Sequence, residues 1–589
     1  MDPTVVHQPA AGTGEPHTLE LPAQRMGHDQ VVVGDIPAQR QGLQPRPALL
    51  ARLNRASPGS PVVLTGTTGV GKTQLAAAYA RARVAGGWRL IAWVNARDGE
   101  SLLAGLAAVA DAAVLSEGGS RQGAADPGQA LRRWLEADGS RCLLVFDDAK
   151  DLDLLRPFLP TAGAARVLVT VAREPVAELG TRVPVSVFSA QEAVALLDGR
   201  TGLADEAGAS AVAAKLGYLP LSLDQAATVI AGQHLEYEGY LAKLRALPTQ
   251  DDLVRKESGE QQAPGVAEAV LLSLEAAWAA DPLGVCAAVM EVMAMLSPAA
   301  ARCDLLRAAG QAGTLLGGGR RVAASMVDQA LERLSKRSLL GFSLDGQAVI
   351  VHGTVAGVVR ETLARRGRLA TACRAAASAL EESAEALAKP WDHAAVGEVL
   401  GQVATLLENA RAGTDDADQK LARILTRLQF LALGQLIELA DSMPLAIAIG
   451  EPLAVDLEHL LGPDHPDTLS AYNSLATAYH AASRTAEAIP LLAHTLAARE
   501  RLLGADHPST LASRNNLASA YRATGRPAEA IPLFEMNVAA CERLLGSDHP
   551  KTVASRHHLD LARQEAEQAE NAGRGARRAG LVDQVGGHL

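Results

Sequence analysis

The sequence predicts a multidomain protein in which an α/β domain with a parallel sheet precedes helical domains and an α-solenoid. Three observations predict this fold class. A glycine-rich loop stands between an apolar run and a helix-forming run, strand-like segments alternate with helical ones from 61 to about 190, and a 42-residue period marks the C-terminal part. At 589 residues the chain is also too long for one core, since single cores rarely exceed ~250–300 residues.

The composition is that of a globular protein and narrows the possible function classes. Hydrophobic residues make up 48%, charged residues 21% and aromatic residues only 3%, so the cores consist mainly of Ala, Leu and Val. A formal net charge of -11 argues against general nucleic-acid binding, although it does not exclude a local basic patch. The five cysteines are scattered without a C-x-x-C pair, which indicates reduced thiols rather than a disulfide frame or a zinc site.

No segment reads as a targeting or membrane element. The first residues lack the basic and apolar regions of a signal peptide, and the longest apolar stretch, about 283–296, contains Glu291 and is closed by Pro298. We therefore expect a cytoplasmic protein without a membrane partner. Residues 1–30 are rich in Pro, Gly, Gln and His, and we expect them to be disordered.

The glycine-rich loop at 66–73 reads G-T-T-G-V-G-K-T. Its glycines let backbone N–H groups surround a phosphate chain, Lys72 can reach the β- and γ-phosphates, and the Thr73 hydroxyl can bind Mg²⁺. A strand before the loop and a helix after it place the phosphates at a helix N-terminus, which an ordinary glycine turn does not explain. The residues predicted to contact nucleotide here are Gly66, Gly69, Val70, Gly71, Lys72, Thr73 and Gln74.

An acidic pair closes the third predicted strand of the α/β domain. Asp147 would hold Mg²⁺ and Asp148 would orient a water molecule for catalysis, whereas the alternative is a strand-to-loop turn that uses Asp for its turn chemistry. The fourth strand runs towards Arg173, which either reaches a γ-phosphate as a second catalytic residue or is a solvated surface residue. The predicted strands are 62–65, 90–94, 142–146, 166–170 and 183–187, within a domain spanning 31–190.

Two domains are predicted between the α/β domain and the repeats. Residues 191–264 form a small helical domain in which Pro220 begins a helix. In 265–365, helices precede two short strands around an Asp-Gly turn, a combination that suggests a winged helix. Such folds often bind DNA, but no helix here is rich in Lys and Arg, so a structural role is favoured.

A helical connector at 366–421 leads to repeats at 422–565. The motif L-G-x-D-H-P-x-T recurs at 461–468, 503–510 and 545–552, and each repeat is predicted to be a helix pair in a solenoid with a concave binding face. The repeated Asp-His pairs suggest a metal site as an alternative. Each pair lies in its own inter-repeat loop, however, too far from the other pairs to share an ion. We therefore favour a structural role, in which Asp and Thr cap the helices and Pro separates one helix from the next. Residues 566–589 are expected to be a disordered tail.

With these motifs in this order, residues 31–565 resemble the bacterial STAND class of signalling NTPases with an NB-ARC-type P-loop domain, fused to tetratricopeptide repeats of the kinesin-light-chain kind. The resemblance implies ATP or ADP and Mg²⁺ as cofactors, with Thr73 and Asp147 at the metal and Arg173 as the sensor. It also implies that Val33 and Gly34 pack against adenine, that Arg46 is a basic residue of the same region, that Pro220 touches the base and that His352 contacts the ADP β-phosphate.

Three features depart from the family pattern. Gly353 stands where many members have Asp, the sensor strand reads Thr170-Val-Ala-Arg173 where Thr-Ser-Arg is commoner, and no effector domain is visible at either end. ATP rather than GTP is implied by the resemblance alone.

The resemblance implies a signal-transduction switch. A protein or peptide ligand on the repeats would drive exchange of ADP for ATP and self-association, and slow ATP hydrolysis would reset the resting form. One alternative is a repeat scaffold that nucleotide stabilises without turnover. Another is a DNA-binding transcriptional regulator that uses the winged helix, which the acidic charge disfavours.

Overall fold

The computed structural model describes residues 30–39, 44–116, 127–171, 179–247, 265–317, 319–387, 391–413, 419–439 and 443–586. The predictions for residues 1–29 and for Arg173 lie outside these ranges. Two compact units divide the chain between Ala432 and Leu433.

The first unit is built on a six-stranded parallel sheet with the strand order β1-β3-β4-β5-β2-β6. Four of the five strands predicted for the α/β domain are confirmed, and the fifth, predicted at 183–187, lies at Thr181–Pro184. Because β5 lies between β2 and β4, the phosphate loop after β2 and the acidic pair of β4 are separated by one strand at the same sheet edge. The strands are β1 (Val31–Val33), β2 (Val62–Thr65), β3 (Leu90–Asn95), β4 (Cys142–Ala149), β5 (Arg166–Val171) and β6 (Thr181–Pro184).

Helices cover both faces of this sheet, so its central strands are apolar on both sides. Leu144 and Phe146 of β4 pack with the face that carries α3 and α4, whereas Leu143 and Val145 pack with the face that carries α1 and α2. The alternation follows from the two-residue period of a strand. The helices are α1 (Pro47–Arg55), α2 (Lys72–Ala85), α3 (Gly99–Ser116) and α4 (Pro127–Asp138).

A helical segment follows the sheet, as predicted. Its helix α5 begins with a reciprocal capping box, in which Ser189 accepts the N–H of Glu192 and the Glu192 side chain accepts the N–H of Ser189. Pro220 is the first residue of α7, which confirms the predicted helix start. The segment comprises α5 (Ala190–Thr201), α6 (Glu206–Lys215), α7 (Pro220–Gln233) and α8 (Tyr237–Ala246).

The next segment combines helices with a small antiparallel sheet of order β10-β11-β7. The predicted hairpin is confirmed, with Phe342 opposite Val349 and Gly346 at positive φ (73°) in the turn. The segment comprises α9 (Val266–Ala279), α10 (Val285–Met295), β7 (Ala301–Arg302), α11 (Cys303–Ala312), β8 (Leu316–Gly317), β9 (Arg320–Arg321), α12 (Ala324–Lys336), β10 (Gly341–Phe342), β11 (Ala348–Ile350) and α13 (Gly353–Arg365).

The hairpin binds the segment that follows β1. The N–H of Ala38 donates to the Phe342 carbonyl at 2.8 Å, and the N–H of Leu344 donates to the Ile36 carbonyl at 2.7 Å. Residues 36–38 therefore extend the hairpin like an added strand, and the N-terminal segment is held between two parts of the unit. Three helices then lead towards the repeats: α14 (Leu369–Ala386), α15 (His393–Gly413) and α16 (Gln419–Leu439).

The second unit is the predicted solenoid of helix pairs. Its helices recur with the 42-residue period, so α18 and α20 begin at equivalent prolines and follow equivalent loops. The helices are α17 (Met443–Leu461), α18 (Pro466–Ala481), α19 (Thr485–Leu503), α20 (Pro508–Ala523), α21 (Pro527–Leu545) and α22 (Pro550–Gly586). Among the described helices of the whole chain, none is long and apolar enough to cross a membrane.

The helix caps of the repeats differ from the prediction. Histidine is the cap: Nδ1 of His465 accepts the N–H of Asp467 at 3.2 Å, and His507 and His549 make the equivalent bonds. The expectation that Asp and Thr cap these helices was wrong, because the motif threonines lie one turn further in and are fully buried. The proline is the first helical residue, where its missing N–H costs nothing.

In the described part of the chain, no group of three or more His, Cys, Asp or Glu residues could hold a metal ion.

The C-terminal segment also differs from the prediction. Residues from 566 were expected to be disordered, but α22 continues as a helix to Gly586. The sequence after Ala562 is rich in Ala, Glu, Gln and Arg, which have high helix propensity, so the helix extends beyond the last repeat motif.

One repeat position offers a matched test of buried and exposed ion pairs. Arg514 is 3% exposed and pairs with Glu500 at 2.6 Å, whereas Arg556, one period later, is 40% exposed and pairs with Glu542 at 2.5 Å. We expect Arg514→Ala to destabilise its helix by about 2–4 kcal/mol, because it removes a buried side chain and its ion pair with Glu500. Arg556→Ala should cost at most about 1 kcal/mol.

Hydrogen exchange of the α20 and α22 amides, measured by mass spectrometry in the full chain, gives both opening free energies. Equal losses for the two variants would show that burial does not set the contribution of this position.

Candidate functional site

The glycine-rich loop has the backbone conformation that phosphate binding requires. Gly71 caps α2 with φ 94°, and Gly66 has φ 143°, where a Cβ would lie 2.3 Å from the Val185 carbonyl oxygen. Only glycine fits there. Lys72 folds back over the loop, and its Nζ donates to the carbonyls of Gly66 at 2.7 Å and Thr67 at 3.1 Å. The loop therefore lies at a helix N-terminus with a lysine across its mouth, an arrangement that can accept an anion.

The two predicted metal ligands are in direct contact. The Thr73 hydroxyl donates to Oδ1 of Asp147 at 2.9 Å, and the Thr170 hydroxyl donates to the same oxygen at 2.6 Å. Burial raises the pKa of Asp147 to about 6, although both hydroxyl bonds act to lower it. One carboxylate and one hydroxyl with oxygen donors side by side fit the ligand preference of Mg²⁺.

The second acid of the pair is already bound to a cation. Asp148 has positive φ (58°), its N–H donates to the Thr170 hydroxyl at 2.9 Å, and its carboxylate pairs with Arg97 at 3.2 Å. The predicted water-orienting residue is thus held in an ion pair. Sequence reasoning assigned no role to Arg97, which carries no motif. Its only signal is its position after β3, the strand in register with β4, where Asn95 lies opposite Asp147.

Thr170 is a second residue to which the sequence analysis assigned no role. It links the two acids, because its hydroxyl donates to Asp147 while accepting the N–H of Asp148. The available signal was its place near the end of β5, the strand between the loop strand and the acidic strand.

The adenine side predicted from the resemblance is tightly built. Gly34 has φ 86°, and a Cβ there would lie 2.0 Å from the Trp93 carbonyl oxygen, so the backbone runs directly against β3. Arg46 donates to the Ser186 carbonyl at 2.7 Å and stacks on the Phe188 ring at 5.2 Å. Arg46 therefore connects the start of α1 to the chain after β6.

Two further predicted residues come from the later helical segments. Pro220 begins α7, and its neighbour Leu219 lies against the glycine loop, 3.7 Å from where a Cβ of Gly69 would be. Nδ1 of His352 accepts the N–H of Thr354 at 3.2 Å as the cap of α13. In the neutral ring, that bond places the proton on Nε2.

A single cavity of about 1570 Å³ brings most of these residues together. It exceeds the ~300–1,000 Å³ of a typical ligand pocket. Val33 and Gly66 are not part of its lining, since Val33 packs on the sheet and Gly66 contributes the carbonyl that Lys72 binds. The predicted residues that line it are Gly34, Arg46, Gly69, Val70, Gly71, Lys72, Thr73, Gln74, Asp147, Asp148, Pro220 and His352.

The family comparison concerns the C-terminal part of the chain. The family model named tetratricopeptide repeat matches residues 428–501, 467–536 and 514–573. These residues are tetratricopeptide repeats. The kinesin light chain-related protein 3 of Arabidopsis thaliana is 42% identical over 60 residues, which are 10% of this chain and 9% of the relative. The chain thus matches only about a tenth of that relative's length.

Two solved structures are similar to this chain, both with low sequence identity and a low TM-score. A STAND protein with a tetratricopeptide repeat sensor from Pyrococcus horikoshii covers 93% of this chain and 86% of its own, with 14% identity and a TM-score of 0.39. Cdc6p from Pyrobaculum aerophilum covers 54% of this chain and 92% of its own, with 13% identity and a TM-score of 0.23. At these TM-scores the similarities assign no role to any residue here.

The buried Asp147 gives a pH dependence of known sign. Its pKa rises from 3.8 to about 6 on folding, so the folded chain binds the proton more tightly than the unfolded chain does. In metal-free buffer the stability contributed by the protonated acid is therefore present below about pH 4 and is lost as the pH rises to about 6. The loss is about 2–3 kcal/mol at most.

Asp147→Asn removes this titration while keeping the shape of the side chain. Denaturant unfolding at pH 5 and pH 7 should show a smaller pH-dependent loss in the variant than in the wild-type chain. Identical pH dependence in both would mean that Asp147 is already ionised at the lower pH.

Proposed function

We propose that this chain is a nucleotide-dependent signalling switch that binds ADP or ATP with Mg²⁺ in the cavity described above. The observation that carries the proposal is the Thr73–Asp147 hydrogen bond at the mouth of a glycine loop crossed by Lys72. Two motifs distant in sequence thereby meet in the arrangement that phosphate and magnesium binding need.

At the phosphate end each group has a defined task. The Lys72 ammonium exchanges the carbonyls of Gly66 and Thr67 for phosphate oxygens, which are stronger acceptors for a cation. Thr73 and Asp147 would hold Mg²⁺, which supplies charge neutralisation between the phosphates. Asp148 and Arg173 are proposed to act in slow hydrolysis, Asp148 by orienting water and Arg173 by contacting the γ-phosphate.

At the base and β-phosphate end the nucleotide would join separate segments. Pro220 contacts the base, and the Nε2–H of His352 donates to the β-phosphate of ADP. The helices and hairpin of 265–365, which we regard as a winged-helix domain, already bind residues 36–38 through two backbone hydrogen bonds. Because one ligand touches all these segments, its diphosphate form would hold the unit closed.

The tetratricopeptide repeats would supply the signal. Helix-pair repeats form extended surfaces for protein or peptide ligands. A ligand that moves a population from 1:99 to 99:1 must prefer the open form by about 10⁴-fold, which a large repeat surface can provide. Exchange to ATP and self-association in the cytoplasm would follow.

Lys72→Ala should weaken nucleotide binding by at least about 100-fold, because the glycine loop loses the cation that crosses it. Lys336→Ala is the matched control, since that lysine pairs with Glu332 on an exposed helix surface. Binding is measured with fluorescent ADP and ATP analogues, and the nucleotide carried through purification is identified after denaturation.

An affinity of Lys72→Ala equal to that of wild type would contradict the site assignment. Nucleotide that binds but is neither hydrolysed nor able to change partner binding would favour the scaffold function instead.

A further inference from the structure

The connector helix α15 lies antiparallel along α3 with close contacts at its start. Nδ1 of His393 and Oδ2 of Asp111 are 2.6 Å apart, and the His393 side chain is 2% exposed. One turn later, a Cβ at Gly397 would lie 2.6 Å from the Cβ of Ala104, so the two helices approach as closely as glycine permits. The first half of this contact is thus a buried polar pair followed by direct backbone packing.

The same contact continues towards the nucleotide cavity. A Cβ at Gly401 would lie 2.9 Å from Oγ of Ser101, and near the end of α15 Glu408 reaches Arg97 at 3.5 Å. The residue numbers of the contacts rise along α15 as those of their partners on α3 and its preceding loop fall, so the two helices are antiparallel. A continuous packed line therefore runs from the start of α15 to the acidic pair.

Glu408 ends this line between two cations of the cavity. Its carboxylate pairs with Arg97 and, at 3.6 Å, with Lys150, while the other nitrogen of Arg97 pairs with Asp148. Burial raises the pKa of Glu408, but Lys150 and Arg97 outweigh it and the pKa is lowered. Arg97, Lys150, Asp148 and Glu408 line the same cavity as the glycine loop.

We propose that Arg97 is a positioning residue shared between Glu408 of the connector helix and the terminal phosphate of a nucleoside triphosphate. This inference rests on the proposed function and concerns what sets the preference of the site for triphosphate or diphosphate. With α15 docked, Arg97 neutralises Glu408 and Asp148. A γ-phosphoryl group brings further negative charge to this end of the cavity, so it competes with Glu408 for Arg97 and Lys150.

The competition distinguishes triphosphate from diphosphate. A nucleoside diphosphate lacks the group that would reach the acidic pair, so it leaves the Glu408 contacts in place. By linkage, any event that loosens α15 from α3 favours triphosphate by the same factor with which triphosphate loosens α15. The connector helix α15 precedes the repeats in the chain, and its contact along α3 ends at the acidic pair of the cavity.

The test uses the full chain and the ratio of two dissociation constants, for Mg·ADP and for a Mg-bound non-hydrolysable ATP analogue. Glu408→Gln should raise the preference for triphosphate by about two- to fivefold, the size expected for a partly exposed ion pair. Arg97→Ala should weaken triphosphate binding more than ADP binding, and Arg97→Lys should restore part of the difference. Glu385→Gln is the matched control, because Glu385 pairs with Arg427 at 2.8 Å and does not line the cavity.

A second readout is hydrogen exchange in α15, which should rise with the triphosphate analogue and not with ADP. An unchanged ratio in Glu408→Gln, an equal shift in Glu385→Gln, or exchange in α15 that ignores the γ-phosphate would each overturn the inference while nucleotide binding itself persists. If the wild-type chain binds neither nucleotide, the proposed function fails and this inference with it.

Discussion

The buried carboxylate of Asp147 is the constraint on which the site depends. A charged oxygen at the inner edge of a sheet is costly unless hydrogen bonds satisfy it. Thr73 and Thr170 supply those bonds to one oxygen, at 2.9 and 2.6 Å. Each comes from a different element, so satisfying one group fixes the glycine loop, β4 and β5 relative to one another. In the proposed function, the Asp147 carboxylate would exchange the hydrogen bond from Thr73 for a bond to Mg²⁺.

The sheet order explains how so many segments converge. Ligands of open parallel sheets bind at the carboxyl ends of the strands. Here the loop after β2, the acids of β4 and the residues after β3 all reach this edge, and the later helical segments cover it with Pro220 and His352. A ligand that contacted all of these segments would bind one relative arrangement of them more tightly than another, which is what a switch requires. Glu408 of α15 adds a negative charge at this edge, which would compete with the negative charge of the nucleotide for Arg97 and Lys150.

Much of the fold could be predicted because its signals are local. The strands β2 to β5, the Asp-Gly hairpin and the helix pairs follow from short-range periodicity and turn chemistry, and the structure confirms them. Local reasoning was wrong where two residues of one motif compete for a role. The repeat loops contain Asp, His and Thr, and the structure makes His465 and its equivalents the caps because the threonines are buried by neighbouring helices.

The sequence by itself indicated which groups would bind phosphate and magnesium in the proposed function, since Lys72, Thr73 and Asp147 belong to motifs whose spacing carries the chemistry. Only the tertiary structure brought together the groups that we propose control them. Arg97 and Glu408 are 311 residues apart in the chain, and neither stands in a motif. Their pairing depends on strand register and on two glycines that let one helix lie against another. Such contacts are set by packing between distant segments, which no local pattern encodes.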